Sequence, residues 1–185
     1  MAVILASASP RRSQLLRGLG IPFTVRPAGC DERCDERDPE RLVCSLARRK
    51  ALAVPAALGD TVIAADTVVC LEGDILGKPR DEIEARAMLR RLSGSRHTVF
   101  TGVAVRRAGR ILVRAEQTDV YFRPLPDAYI ERYVRSGEPL DKAGAYGIQG
   151  AGGAFVRRIE GDFYNVMGLP LCTLCEMLEE IGAQA

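Results

Sequence analysis

The chain lacks tryptophan, has one histidine in 185 residues, and carries only 5% aromatic residues. With His97 as the lone imidazole and no second tight cysteine pair beside Cys172-Thr-Leu-Cys175, the zinc-finger type of metal site finds no support. No Ser-His-Asp or Cys-His arrangement stands out either. Charge of one sign is not in excess: 26 Lys and Arg face 24 Asp and Glu, a formal net charge of +2. That balance argues against a long nucleic-acid footprint or a polybasic membrane tether, so any electrostatic function must be local. No apolar run approaches the roughly 20 residues of a spanning helix. The amino terminus has no basic region and too short an apolar run for a signal peptide, which leads to the expectation of a cytoplasmic protein with reduced thiols. The phosphate-binding strings GxxxxGK[ST] and GxGxxG are absent, as are internal repeats and low-complexity linkers.

What is present is enough apolar material, 47% of residues, to build a substantial core without staples, in one domain or two closely packed lobes. The six cysteines read as ordinary residues. Cys172 and Cys175 fall with Leu171, Leu174 and Leu178 at helical spacing, which predicts a core-facing helix side. His97 falls in a strand-like run and reads as a packing or surface residue.

Along the chain, Val3 to Ala6 reads as a buried strand, followed by Ser9-Pro10 as an N-cap and first helical residue, with a helix through about Arg17. Ile21 to Arg26 reads as a strand and Asp38-Pro39 opens a long helix stopped by Pro55. Thr61 to Ala65 reads as a buried strand that ends in Asp66-Thr67 and so delivers a carboxylate to a sheet edge. Asp81 caps a helix with Ile83, Ala87, Met88 and Leu92 on its apolar face. Thr98 to Arg106 and Ile111 to Phe122 flank Ala108-Gly109-Arg110 as a hairpin. Pro126 to Val134 reads as a helix, Gly144 to Gly153 as a glycine-rich region, Phe155 to Tyr164 as a short hairpin around Glu160-Gly161-Asp162, and the chain from Leu169 as a closing helix. Mixed strands and helices with an inserted hairpin predict an α/β or α+β mixed sheet flanked by helices.

Three constellations carry candidate chemistry. Ser7-Ala8-Ser9-Pro10-Arg11-Arg12 runs a strand into a helix start, where free N–H donors, a partial positive charge and arginine forks suit phosphate oxygens. The same string also suits simple capping and a solvated surface. Asp66 and the loop Asp31-Glu32 form the acidic set: a carboxylate at a buried strand end needs a cation or hydrogen bonds to compensate its desolvation, and a hard divalent ion accepts one or two carboxylates plus phosphates. Local turn capping is the alternative for Asp66. Lys50, Lys78 and Lys142 supply compact positive charge, the last two beside glycine or proline turns. Together these groups provide what phosphoryl transfer requires: neutralised oxygens, a metal bridge and a group that orients water.

Seven strings spread over nearly the whole chain resemble one family in its own order. They are LASASPRRSQLL (5–16), LARRKA (46–51), AADTVV (64–69), GKPRD (77–81), SGSRHTVFTGVAV (93–105), EPLDKAGAYGIQG (138–150) and GDFYNVMGLPL (161–171). The sequence is similar to the Maf-like nucleotide pyrophosphatases. The resemblance implies a single Maf-like domain over 1–185 with an elongated Maf/ITPase-like α/β fold, two lobes and a central cleft. It implies a cytoplasmic homodimer that hydrolyses a nucleoside triphosphate to the monophosphate and pyrophosphate, dependent on Mg²⁺ or Mn²⁺, with no nucleic-acid or membrane partner. In that reading Asp66, Glu32 and Lys78 are catalytic and Asp66 with Glu32 holds the metal. Ser7, Arg11, Arg12, Lys50, Thr67, Lys142 and Gln149 bind substrate. Arg12, Thr67 and Gln149 match the family's branch for dTTP and UTP rather than the branch for 7-methyl-GTP. The loop DERCDERDPE departs from the family by repeating Asp-Glu-Arg; distance from Pro39-Glu40 selects Glu32, and Glu36 is the alternative. Two rivals remain at this stage, the same reaction on a modified purine triphosphate and a non-catalytic nucleotide sensor.

Overall fold

The computed structural model of the chain describes residues 1–183. Its elements in order are β1 (Val3–Leu5), α1 (Pro10–Gly18), β2 (Phe23–Val25), α2 (Pro39–Ala53), β3 (Thr61–Leu71), β4 (Asp74–Leu76), α3 (Glu82–Leu92), β5 (Arg96–Arg107), β6 (Arg110–Phe122), α4 (Asp127–Arg135), β7 (Val156–Glu160), α5 (Phe163–Met167) and α6 (Leu171–Glu180). Short 3₁₀ segments cover Glu138–Asp141, Ala143–Ala145 and Ala151–Phe155. The strands form a mixed sheet in the order β2-β1-β3-β5-β6-β7, with β4 paired to β3 off that path. β1 lies parallel to both β2 and β3, with Val3 opposite Phe23 on one side and Thr61 on the other. This confirms the mixed α/β class.

The chain divides into two compact units. One comprises Met1–Thr67, Thr101–Glu116 and the chain from Gly168, and the other Val68–Phe100 and Gln117–Met167. In the first unit α2 covers β1, β3 and β5 through small residues: Ala47 and Ala51 of the helix pack with Ile4, Val62, Ala64 and Ala104 of the strands. Short side chains let a helix sit close to a sheet. Gly102 of β5 is the tightest point, since a Cβ there would overlap the Val43 carbonyl and lie 2.7 Å from the Cys44 nitrogen. In the second unit α3 and α4 pack on Val99, Val120 and Phe122. There His97, Phe122, Tyr146, Phe155 and Tyr133 form a chain of edge-to-face rings with centroids 4.8–5.9 Å apart, a favoured aromatic geometry.

The helix starts follow their caps. The Asp38 side chain accepts the Arg41 N–H at 2.9 Å, the Asp81 side chain accepts the Glu84 N–H at 2.8 Å, and Ser9 caps α1 ahead of Pro10. Four local expectations are corrected. β3 does not stop at Asp66 but runs on to Leu71 and turns back as β4, with Leu71 opposite Asp74. The two residues between them, Glu72 and Gly73, have φ of 53° and 89°, the pattern of a tight hairpin turn. α3 buries Ala85, Met88, Leu89 and Leu92, which follow i, i+3, i+4, i+7 spacing on one face, while Ile83 and Ala87 lie off that stripe and face outward. On α6 the core face is Leu174, Met177 and Leu178; Cys172 is exposed and Cys175 half-buried. Finally, Phe155 to Tyr164 is not a hairpin. Val156–Glu160 pairs antiparallel with β6 instead, and Gly161, at φ 124°, leads into α5.

Candidate active site

The first unit collects most of the residues singled out in the sequence. Asp66 sits in the middle of β3, between Ala65 and Thr67, and is buried. Its compensating charge comes from α2: Lys50 Nζ donates to Asp66 Oδ1 at 2.6 Å, and Lys50 is itself buried. The same ammonium lies 3.1 Å from Glu32 Oε1, on a half-exposed loop side chain. Two carboxylates therefore converge on one cationic centre. A buried carboxylate without such a partner would cost several kcal/mol, so the pair explains how a charge persists inside a strand. Glu36, the alternative acidic residue, turns to the backbone and accepts the Arg37 and Asp38 N–H groups at 3.0 Å just before α2. Glu32 is the member of the repeated Asp-Glu-Arg loop that joins the cluster.

Arg12, in the first turn of α1, is held from three sides. Its Nε donates to the Gly168 carbonyl at 2.7 Å, its Nη2 to Thr67 Oγ1 at 2.9 Å and its Nη1 to Ser7 Oγ at 3.3 Å. These partners are neutral, so they fix the planar guanidinium without cancelling its charge. Burial lowers its pKa below the usual arginine value; Asp66 and Glu32 act in the opposite direction and Arg11 reinforces the fall. Ser7 is buried, and its Oγ also accepts the Ser9 N–H at 3.2 Å, which ties the end of β1 to the start of α1. Arg11 is half-buried beside Arg12 at the positive end of that helix.

Two contributors carry no role in the sequence reading. Thr101 of β5 is fully buried and its hydroxyl lies 3.0 Å from that of Thr67. Gly168 supplies the carbonyl that anchors Arg12, and it does so at φ 102°, where a Cβ would press to 3.2 Å from the Thr67 hydroxyl. Both residues lie inside the family strings, but only their neighbours in space reveal what they hold.

The second unit carries the other three. Lys78 is exposed in the turn after β4. Lys142 is half-buried and its ammonium is held locally, by the Glu138 carbonyl at 2.5 Å and Asp141 Oδ1 at 2.7 Å. Gln149 is exposed in the turn between Ala145 and Ala151. His97 falls outside any charged cluster: its Nε2 lies 2.9 Å from the Tyr146 hydroxyl, it is buried, and burial lowers its pKa to about 4 despite the nearby Asp119.

The donors fit a hard cation in a limited way. Among the described residues no group of three or more His, Cys, Asp or Glu side chains could hold a metal. Glu32 and Asp66 nevertheless share a positive charge, and two carboxylates are what Mg²⁺ usually takes from a protein, the remaining positions going to water and phosphate. Among the described residues no helix is long and apolar enough to cross a membrane.

Comparison with known proteins extends the pattern over the whole chain. A dTTP/UTP pyrophosphatase of Anaeromyxobacter dehalogenans (strain 2CP-C) is 53% identical over 185 residues, covering 97% of this chain and 94% of its own. Proteins of the same name from Symbiobacterium thermophilum and Deinococcus radiodurans are 52% and 50% identical, covering 97% and 99% of this chain and 94% of each relative. Among solved structures, a HAM1 protein from Coxiella burnetii shares the fold, with a TM-score of 0.50 at 16% identity over 97% of this chain and all of that one. The model of the Maf-like protein family matches residues 2–181, which takes in every residue of the charged cluster and of the Arg12 anchor, and the chain belongs to that family.

Proposed function

We propose that this chain hydrolyses dTTP and UTP to the nucleoside monophosphate and pyrophosphate. The observation that carries the reading is identity of 50–53% along nearly the full length to relatives that bear the name dTTP/UTP pyrophosphatase. The chemistry asks for a base beside the α-phosphorus, positive charge on the phosphate oxygens and a means of choosing the base. Asp66 takes the first role: its carboxylate accepts the proton of a water molecule as the water oxygen attacks the α-phosphorus and pyrophosphate departs. Lys50, hydrogen-bonded to Asp66, holds that carboxylate in place and adds positive charge.

Glu32 and Asp66 would hold Mg²⁺ or Mn²⁺, which when bound offsets charge on the phosphates. Ser7 and the N–H groups at the start of α1 offer hydrogen bonds to phosphate oxygens, and Arg11 adds positive charge there. Lys78 and Lys142 are further phosphate cations in this reading. Arg12, Thr67 and Gln149 select the base. The Gln149 amide, with one donor and one acceptor, can pair with the imide edge of uracil or thymine. Arg12 is suited to recognition because its three neutral anchors leave it little freedom to follow a mobile phosphate. The reading also includes a cytoplasmic homodimer that engages neither nucleic acid nor membrane.

The test is Asp66→Asn, assayed for pyrophosphate released from UTP with Mg²⁺. Loss of a general base lowers turnover by about 10²-fold or more, and a well-folded variant that keeps above about a tenth of the wild-type rate would remove Asp66 from this role. The unmutated chain must release pyrophosphate from dTTP and UTP faster than from 7-methyl-GTP. If it releases none, the hydrolytic reading fails.

A further inference from the structure

The turn that carries Gln149 is not built on regular secondary structure. It is wrapped around a phenol and a carboxylate. Tyr133, buried on α4, donates its O–H to Glu138 Oε1 at 2.9 Å and accepts the Gly147 N–H at 3.0 Å. Glu138 Oε2 accepts the Ala151 N–H at 3.2 Å. The two ends of the segment 147–151 are thus pinned to one hydrogen-bonded pair, and the Gly150 N–H closes the turn on the Gly147 carbonyl at 3.2 Å.

Steric fit repeats the message. A Cβ on Gly150 would overlap the Glu138 carboxylate, and one on Gly152 would come within 2.8 Å of the Tyr133 hydroxyl. The glycines of this region are therefore needed where the backbone lies against the pair. Glu138 also serves Lys142, whose ammonium donates to the Glu138 carbonyl at 2.5 Å. Gln149 sits at the exposed apex of the turn so formed.

We propose that Glu138 and Tyr133 are positioning residues for substrate choice: they set the 147–151 turn so that the Gln149 amide meets the base in one orientation. The inference rests on the base-reading role proposed for Gln149. An ionised carboxylate suits the task because both its oxygens accept, one from a phenol and one from a backbone N–H. Glutamine in its place keeps the size, but with its oxygen on the Ala151 N–H its NH2 faces the phenol oxygen, which already accepts the Gly147 N–H, and the Tyr133 hydroxyl hydrogen loses its acceptor.

A double-mutant cycle on the full-length chain tests this. Turnover and KM are measured for UTP and 7-methyl-GTP in the wild type, Gln149→Ala, Glu138→Gln and the double variant, with thermal melts alongside. Each single variant is expected to raise KM for UTP about tenfold, to change kcat less, and to narrow the preference for UTP. The double variant should fall within about threefold of Gln149→Ala, because a turn without Gln149 has nothing left to aim. If Gln149→Ala raises KM and Glu138→Gln does not, or if the two effects multiply, the positioning role is wrong while the base-reading role stands. If Gln149→Ala itself leaves KM and preference unchanged, the base-reading role fails and the positioning role with it. Should Glu138→Gln melt below the assay temperature, Tyr133→Phe enters the same cycle with the same criteria.

Discussion

Each unit buries a short contact between two titratable side chains, and these two contacts are chemically opposite. In the first unit Lys50 and Asp66 meet at 2.6 Å as a cation and an anion, with Glu32 as a second acid at 3.1 Å from the ammonium. In the second, His97 and Tyr146 meet at 2.9 Å as neutral groups within a stack of aromatic rings. Burial pushes the His97 pKa down to about 4 and the Tyr146 pKa up, so both stay uncharged near neutrality. Desolvation is common to the two places; only the first sets a counter-charge in direct contact, whereas Asp119 acts on His97 too weakly to offset burial. A fold that retains full charges in its interior must compensate them, and it does so at the cluster proposed above to act on a triphosphate. The neutral pair satisfies His97 Nε2 inside a core, while the buried Nδ1 of the same ring has no hydrogen-bond partner among the described residues.

The contrast can be broken in order of effect. Lys50→Met should be the most damaging, since it strands the Asp66 carboxylate in the interior; removing one partner of a buried pair costs about 3 kcal/mol or more. Urea unfolding would show the loss, and adding Asp66→Asn to it should recover a large part of the stability without restoring activity. The neutral pair should reveal itself through pH. Because the folded His97 pKa lies near 4, below the 6.5 of an unconstrained imidazole, the unfolded chain takes up a proton first as pH falls. Its contribution is complete above about pH 6.5 and is lost progressively toward pH 4, amounting to about 2 kcal/mol by pH 5. Denaturation midpoints of His97→Gln should therefore fall less between pH 7 and pH 5 than those of the wild type; equal slopes would assign the acid sensitivity to other groups. The smallest effect is expected at Arg114, whose guanidinium reaches Glu176 at 3.1 Å and Glu180 at 2.6 Å in the open. Arg114→Ala should change stability by no more than about 1 kcal/mol, and less in high salt, which separates surface pairing from the buried kind.

Much of this was legible in the residues. Ser9-Pro10, Asp38-Pro39 and Asp81 announce helix starts that the structure reproduces as caps. Thr98 to Phe122 announces its hairpin because two long β-rich runs flank Ala108-Gly109, both at positive φ. The hairpin of β3 and β4 uses the same kind of turn at Glu72-Gly73, but glutamate is a poor signal for φ above zero and β4 has only three residues. Asp66 consequently looks like a strand end in sequence and proves to be mid-strand. The acidic partner was partly legible: distance from Pro39-Glu40 selects Glu32 over Glu36 in the repeated tripeptide, but the contact with Lys50, on a separate helix, appears only in space. Thr101 and the Gly168 carbonyl were out of reach for the same reason, as each acts on Arg12 or Thr67 from a distant part of the chain.

Gly102 gives the charged pair an unexpected vulnerability. The seat it provides for the α2 backbone at Val43 and Cys44 sets how near the helix lies to the strands of its unit, and Lys50 leaves that same helix two turns further on. A methyl group added at Gly102 touches neither charge, yet it would lift the platform from which the ammonium reaches Asp66. The missing side chain thus behaves as a gauge block for an ion pair, and variation at this position would be recorded in the Lys50–Asp66 contact as much as in packing.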